Sequence, residues 1–294
     1  MNQPRMHADE VATDADLVRR LLRAQFPQWA DLPITRVASS GTDHAIYRLG
    51  ERLAVRMPRI EWATGQAAIE RKWLPLLPGS LPVQVPEHLG SGKPGHGYPF
   101  EWSVVTWLPG RPAGPDDRGS YALADDLVGF VHALRTYGGT GLAVRRPDQR
   151  GGTLGAHDAD VRKAIAELGD RIDAAAALCV WSDALGAAPP EKAVPSHGDL
   201  LPGNLLLEHG RLTAVIDWGG LSLADPAIDL LPAWNVFDAD RRERLRAALG
   251  VDADTWARSR GWALQQAVLA LPYYWETNPA MVRQASYALG QLAN

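Results

Sequence analysis

Three polar residues stand at a spacing that could do chemistry. In Ser196-His197-Gly198-Asp199-Leu200-Leu201-Pro202-Gly203-Asn204, an aspartate is followed five residues later by an asparagine. Val215-Ile216-Asp217-Trp218-Gly219 then supplies a second aspartate. Mg²⁺ takes oxygen ligands, usually one or two carboxylates together with phosphate oxygens and water. Asn204 and Asp217 offer an amide oxygen and a carboxylate for such an ion. Asp199 is left to accept the proton of an attacking hydroxyl. Those roles together serve phosphoryl transfer. The local pattern positions them. Pro202 and Gly203 keep the first stretch a loop. Leu205-Leu206-Leu207, a turn at His209-Gly210 and the run Leu212 to Ile216 read as a hairpin with Asp217 at its far end.

The order of elements is α+β and bilobal: a strand-rich N-terminal part, a hinge, and a helical C-terminal part carrying the hairpin. Asp14 to Phe26 reads as a helix capped by Asp14 and ended by Pro27. Ile34 to Ser39, Ala45 to Leu49 and Leu53 to Met57 read as strands of an antiparallel meander. Thr64 to Leu77 reads as a helix with Ala68, Ile69, Trp73, Leu74 and Leu77 on its apolar face. Pro78 to Pro99 reads as loop. Trp102 to Leu108 reads as the last strand and the hinge, and Pro109 to Gly119 as a boundary. Helices are expected at Tyr121 to Leu134, Ala159 to Leu168, Ile172 to Leu185, Ala227 to Val236, Ala239 to Leu249, Thr255 to Tyr274 and Pro279 to Leu292.

His-x-Asp-x-x-x-x-Asn followed by Asp-x-Gly is the protein-kinase pattern. The wording here, with Asp225-Pro226-Ala227-Ile228-Asp229-Leu230 downstream, resembles the aminoglycoside phosphotransferase family. The resemblance spans most of the chain and is strongest over residues 194–230. It implies a bilobal protein-kinase-like fold, with a nucleotide-binding lobe over residues 1–108 and a catalytic and substrate-binding lobe over residues 109–294. It implies Mg²⁺ and ATP or GTP as phosphoryl donor. Asp199 would be the catalytic base, and Asn204 and Asp217 the metal ligands. His197 and Asp229 would support the catalytic loop, Asp229 by accepting backbone hydrogen bonds around His197. The implied acceptor is a hydroxyl of a small molecule, an aminoglycoside-type antibiotic or alternatively a macrolide or another metabolite.

The same resemblance assigns the N-terminal residues. Ser40, Gly41 and Thr42 lie in the turn that would cover the nucleotide phosphates. This turn has one glycine and no GxGxxG. Arg56 stands where the family usually has a lysine. Either it substitutes with its charge kept, or the nucleotide site is degraded and the chain is a nucleotide-binding, inactive kinase-like protein. Only four of the 30 basic residues are lysine (72, 93, 163 and 192), which allows substitution, and the intact Asp199, Asn204 and Asp217 favour it. Arg59 is the reserve candidate. Glu70 matches the helix glutamate that orients the cation. Backbone groups of Thr106, Trp107 and Leu108 would meet the purine.

Protein substrates fit poorly. The position two residues after the base, lysine in protein Ser/Thr kinases, is Leu201, and no activation segment separates Asp217 from Asp225. Acceptor contacts are expected from Trp234, Asp238, Tyr274 and Glu276 in the helical part. For most aromatics there, helix–helix packing is the simpler reading, and for the acids, solvent exposure. The net charge of -4, without a basic run, makes nucleic acid a poor partner. No apolar run reaches membrane-spanning length and the N-terminus does not read as a signal peptide, so a cytoplasmic protein is expected. One cysteine, Cys179, excludes an intramolecular disulfide, and its apolar neighbours suggest burial.

Overall fold

Asp14 starts the first helix by accepting the Leu17 N–H at 2.7 Å. In the computed structural model, which describes residue 7 and residues 9–38 and 41–293, that helix is α1 (Ala15–Gln25). Its buried face, Leu17, Val18, Leu21 and Leu22, packs with Tyr47, Val55, Met57, Trp102 and Val104 of a sheet. The sheet joins β1 (Ile34–Arg36), β2 (His44–Leu49), β3 (Leu53–Pro58), β4 (His88–Gly92) and β5 (Trp102–Thr106). It is antiparallel, in the order β1-β2-β3-β5-β4. Ser39 and Ser40 lie outside the described residues. β4 falls within the stretch expected to be loop. Its sequence, His88-Leu89-Gly90-Ser91-Gly92, lacks the branched residues that signal a strand, and Gly92 is required because a Cβ there would strike the Trp102 ring. α2 (Thr64–Trp73) is shorter than expected, since Pro75 turns Leu74–Leu76 into a 3₁₀ turn.

The rest of the chain is built on β6 (Arg111–Pro112), α3 (Tyr121–Arg135), α4 (Asp158–Leu168), α5 (Ala174–Gly186), β7 (Val194–Ser196), β8 (Leu205–Glu208), β9 (Arg211–Val215) and β10 (Ser222–Ala224). It continues through α6 (Leu231–Asn235), α7 (Ala239–Ala248), α8 (Ala253–Tyr274) and α9 (Pro279–Leu292). A second core runs from Leu123 and Phe130 of α3 through Trp218 to Trp262 and Leu271 of α8. Trp73, Leu74 and Leu77 belong to this core, so the end of α2 is anchored in the same core as Leu205, Leu207 and Val215 of the expected hairpin. That hairpin is β8–β9, flanked by β6, while β7 pairs with β10. The expected helix from Ala227 begins instead as a 3₁₀ run, Pro226–Leu230. Cys179 corrects an expectation: it is exposed, on the outer side of α5. Among the described residues, no helix is long and apolar enough to cross a membrane.

Candidate active site

The loop at residues 196–204, expected to be catalytic, is held by backbone hydrogen bonds to one buried carboxylate. Asp229 accepts the N–H of His197 and of Gly198, each at 2.9 Å, on its two oxygens. His197 locks the loop from the other side. Its Nε2 lies 3.1 Å from the carbonyl oxygen of Ile216, and its Nδ1 lies 3.2 Å from the Asp199 N–H. A carbonyl only accepts and an amide N–H only donates, so the ring is neutral with its proton on Nε2. Burial agrees, pushing the His197 pKa below its ordinary value. Gly198 has φ +83°, a backbone conformation strained for any residue with a Cβ, so glycine is favoured there.

Asp199 emerges from this loop. Asn204 donates Nδ2–H to its carbonyl oxygen at 2.8 Å and to Oδ2 at 3.1 Å. Arg150 pairs with Asp199 Oδ1. Burial pushes the Asp199 carboxyl above its usual value, and Arg150 draws it back. Asp217 ends the hairpin in the left-handed region, φ +66°, a conformation that costs free energy in a non-glycine residue and clusters at functional sites.

Arg56 joins the two parts of the chain. From β3 it reaches Glu70 of α2 and, at 2.6 Å, Asp217 Oδ1. Glu70 also accepts the Trp218 N–H at 3.0 Å. Burial resists the Arg56 charge, but Glu70 and Asp217 outweigh it and hold the guanidinium protonated. For Asp217, burial works against ionisation, yet Arg56 pulls the carboxyl below its ordinary value. Arg59 is engaged elsewhere, with Glu10 at 3.4 Å.

The oxygens left over suit Mg²⁺. Asn204 uses its NH₂ group on Asp199, which leaves its carbonyl oxygen, and Arg56 occupies only Oδ1 of Asp217. A cage of three or more acidic, His or Cys ligands does not occur among the described residues. One carboxylate and one amide match an ion that keeps its waters and phosphate oxygens.

The remaining expected residues separate into two groups. Thr42 faces the cleft: its hydroxyl donates to Asp43 at 3.0 Å, and it hydrogen-bonds Tyr274, whose pKa burial pushes up to about 12. Gly41 is exposed beside it. The Thr106 N–H is taken by the Glu87 carbonyl at 3.0 Å and that of Trp107 by Arg52 at 2.7 Å. Trp234 does not face the cleft. It is 4% exposed, packs on Trp256 and donates its ring N–H to Ser259 at 3.1 Å. Asp238 caps α7 through the Arg241 N–H at 3.1 Å and pairs with the Arg241 side chain. Glu276 is exposed beyond the end of α8. Three residues at the site were absent from the sequence reading. Arg145 donates to the Gly220 carbonyl, Arg150 pairs with Asp199, and Asp43 accepts from Gln66 at 3.0 Å. The only sequence signal for the arginines is their clustering in the glycine-bounded loop before α4.

Asp199 beside Asn204, two oxygens suited to a metal and a carboxylate-clamped cation, set between a five-stranded sheet and a helical part, match the arrangement of a kinase-type phosphotransferase. A family model described as "Phosphotransferase enzyme family" matches residues 34–262, and the chain belongs to that family. Its structure is similar to the GDP and kanamycin complex of APH(2")-IIia, with 19% identity, 94% of this chain and 97% of the other covered, and a TM-score of 0.69. It is similar to macrolide 2'-phosphotransferase type I, with 20% identity, coverage of 97% and 99%, and a TM-score of 0.62. For macrolide 2'-phosphotransferase MphH from Brachybacterium faecium the identity is 26%, coverage 93% and 98%, and the TM-score 0.61. A search of curated proteins found no match.

Proposed function

We propose that this protein transfers the γ-phosphoryl group of ATP or GTP, in the cytoplasm, to a hydroxyl of a small molecule, with an aminoglycoside-type antibiotic as the first acceptor. The observation that carries the reading is the convergence of Asp199, Asn204, Asp217, Arg56 and Glu70 on one cleft. In this reading Asp199 accepts the acceptor's proton and the Arg56–Glu70 pair steadies the donor phosphates. Asn204 and Asp217 hold Mg²⁺, which would neutralise phosphate charge. Gly41 and Thr42 lie over the phosphates. The purine meets the hinge at Leu108, because the N–H groups of Thr106 and Trp107 are already bonded. Glu276 and Asp43 supply negative charge for a cationic acceptor.

A macrolide is the second reading. It is favoured by the aromatic surface at the mouth, where Trp62 is 57% and Tyr273 47% exposed and both pack against His7. The 26% identity with a macrolide enzyme points the same way. The test is nucleotide turnover with a panel of aminoglycosides and macrolides, for the wild type and Asp199→Ala. Turnover with an acceptor that survives Asp199→Ala within a few-fold would remove Asp199 as the base.

A further inference from the structure

We propose that Arg150 supplies the cation that neutralises the phosphoryl group in transit, the place left vacant by Leu201; this rests on the phosphotransferase reading above. Leu201 is 9% exposed and belongs to the C-terminal core, so it contributes no charge to the cleft. Arg56 is committed to Glu70 and Asp217, on the side of the metal ligands. The charge in contact with the base comes from Arg150, paired with Asp199 Oδ1. Both side chains are partly accessible, at 31% and 27%, so the pair faces the cleft.

The loop that carries Arg150 is built into the fold. The Arg145 N–H donates to the Leu223 carbonyl at 2.8 Å, and the Leu223 N–H to Ala143 at 2.8 Å, which adds the loop alongside β10. The Asp225 N–H donates to Gly151 at 3.0 Å, immediately after Arg150. Gly151, at φ +88°, lies against Ile228, next to the carboxylate that holds the catalytic loop. One segment therefore fixes Arg150 and abuts the support of Asp199.

The chemistry needs a donor at this place. A lone pair on the acceptor oxygen forms the new bond to the γ-phosphorus. The bond from the γ-phosphorus to the β–γ bridging oxygen breaks, and its electron pair leaves with the nucleoside diphosphate. The acceptor's proton passes to Asp199. Reacting atoms sit about 3–3.5 Å apart, so a group touching the Asp199 carboxylate is within reach of the equatorial phosphoryl oxygens. A guanidinium has five N–H donors in a planar fork, so Arg150 can hold Asp199 with one edge and a phosphoryl oxygen with another.

The test measures single-turnover release of γ-phosphate from saturating MgATP or MgGTP, with water as acceptor, alongside nucleotide affinity by calorimetry. Arg150→Ala is expected to slow release on the order of 100-fold or more, as arginines in this role contribute about 10³–10⁵. Nucleotide Kd should stay within about threefold, and Arg150→Lys should recover part of the rate. Should Arg150→Ala fail to fold, Arg150→Gln keeps the bulk and reads the same split. A rate within about fivefold of wild type in Arg150→Ala, while Asp199→Ala abolishes transfer, overturns the proposal alone. A change confined to Kd, with the saturated rate intact, also overturns it. No release by the wild type, with water or with the antibiotic panel, overturns the phosphotransferase reading beneath it.

Discussion

At the scale of single residues, Arg56 stands where the resemblance leads one to expect lysine, and it is held there by Glu70 and Asp217. Its two ion pairs form one contact network, so its effects should not add with those of Glu70. Arg56→Ala is expected to lose most activity, Arg56→Lys to keep part of it, and Glu70→Ala to be the milder of the alanine variants. Strict additivity in the double-mutant cycle for kcat/KM would remove the pair from the site. Asp229→Ala leaves two buried N–H groups without a partner and should cost about 2–6 kcal/mol, at roughly 1–3 kcal/mol each. An unchanged Tm would count against this. His44 gives a pH prediction. Burial, then Arg56, lowers its folded pKa to about 4, against about 6.5 when unfolded. Between those values the unfolded chain binds a proton that the folded chain does not, so His44 subtracts stability as pH falls through that window. His44→Asn should remove that component, about 3 kcal/mol in full, and flatten the loss of denaturation free energy between pH 7 and 5; a slope equal to wild type would contradict it. The motif residues were legible because they are local in sequence. Arg150 was not, because 49 positions separate it from Asp199 and only the fold brings them together.

At the scale of elements, helices were legible where a cap and an apolar stripe coincide, as at Ser120 for α3 and Asp14 for α1. Short strands were not. β6, β7 and β10 are two or three residues long, and pairing with distant partners defines them more than their residue types do. Trp234 packs on Trp256, the helix–helix packing that was the simpler reading for most of the aromatics there. The contact between α2 and the turn after Asp217 offers a direct test. A Cβ on Gly219 would lie 2.5 Å from Gln66 Cβ, close to the backbone of α2. Gly219→Ala should push α2 away, loosening the Trp218–Glu70 and Gln66–Asp43 hydrogen bonds. The expected cost is about 1–3 kcal/mol of stability, with activity falling on the order of tenfold. Gly65→Ala in the same helix meets no atom within 4 Å and should be neutral or slightly stabilising. Equal melting temperatures and activities for the two variants would show that the contact does not position Glu70.

At the scale of the whole molecule, two hydrophobic cores meet along a polar seam, and the Arg56 network is the charged link across it. The division into a sheet-based part and a helical part was legible from the change in periodicity. That the tail of α2 belongs to the helical core was not, since its apolar face could serve either side. The seam makes ligand binding a readout of the entire fold. A ligand that binds only the folded state stabilises by about 2.7 kcal/mol at one hundred times its Kd. For a chain of 294 residues each kcal/mol moves Tm by roughly 1.5–2 °C. MgATP or MgGTP should therefore raise Tm by several degrees, and EDTA should remove much of that rise. Asp217→Asn keeps the volume of the side chain but gives up the carboxylate that pairs with Arg56 and suits the metal. Its starting Tm should be lower, and the portion of the nucleotide shift that depends on Mg²⁺ should disappear while a smaller metal-independent shift remains. An Mg²⁺-dependent shift of wild-type size in Asp217→Asn, measured by thermal denaturation with and without EDTA, would mean that the ion is held by other oxygens. The hairpin's terminal aspartate would then serve the seam only through Arg56.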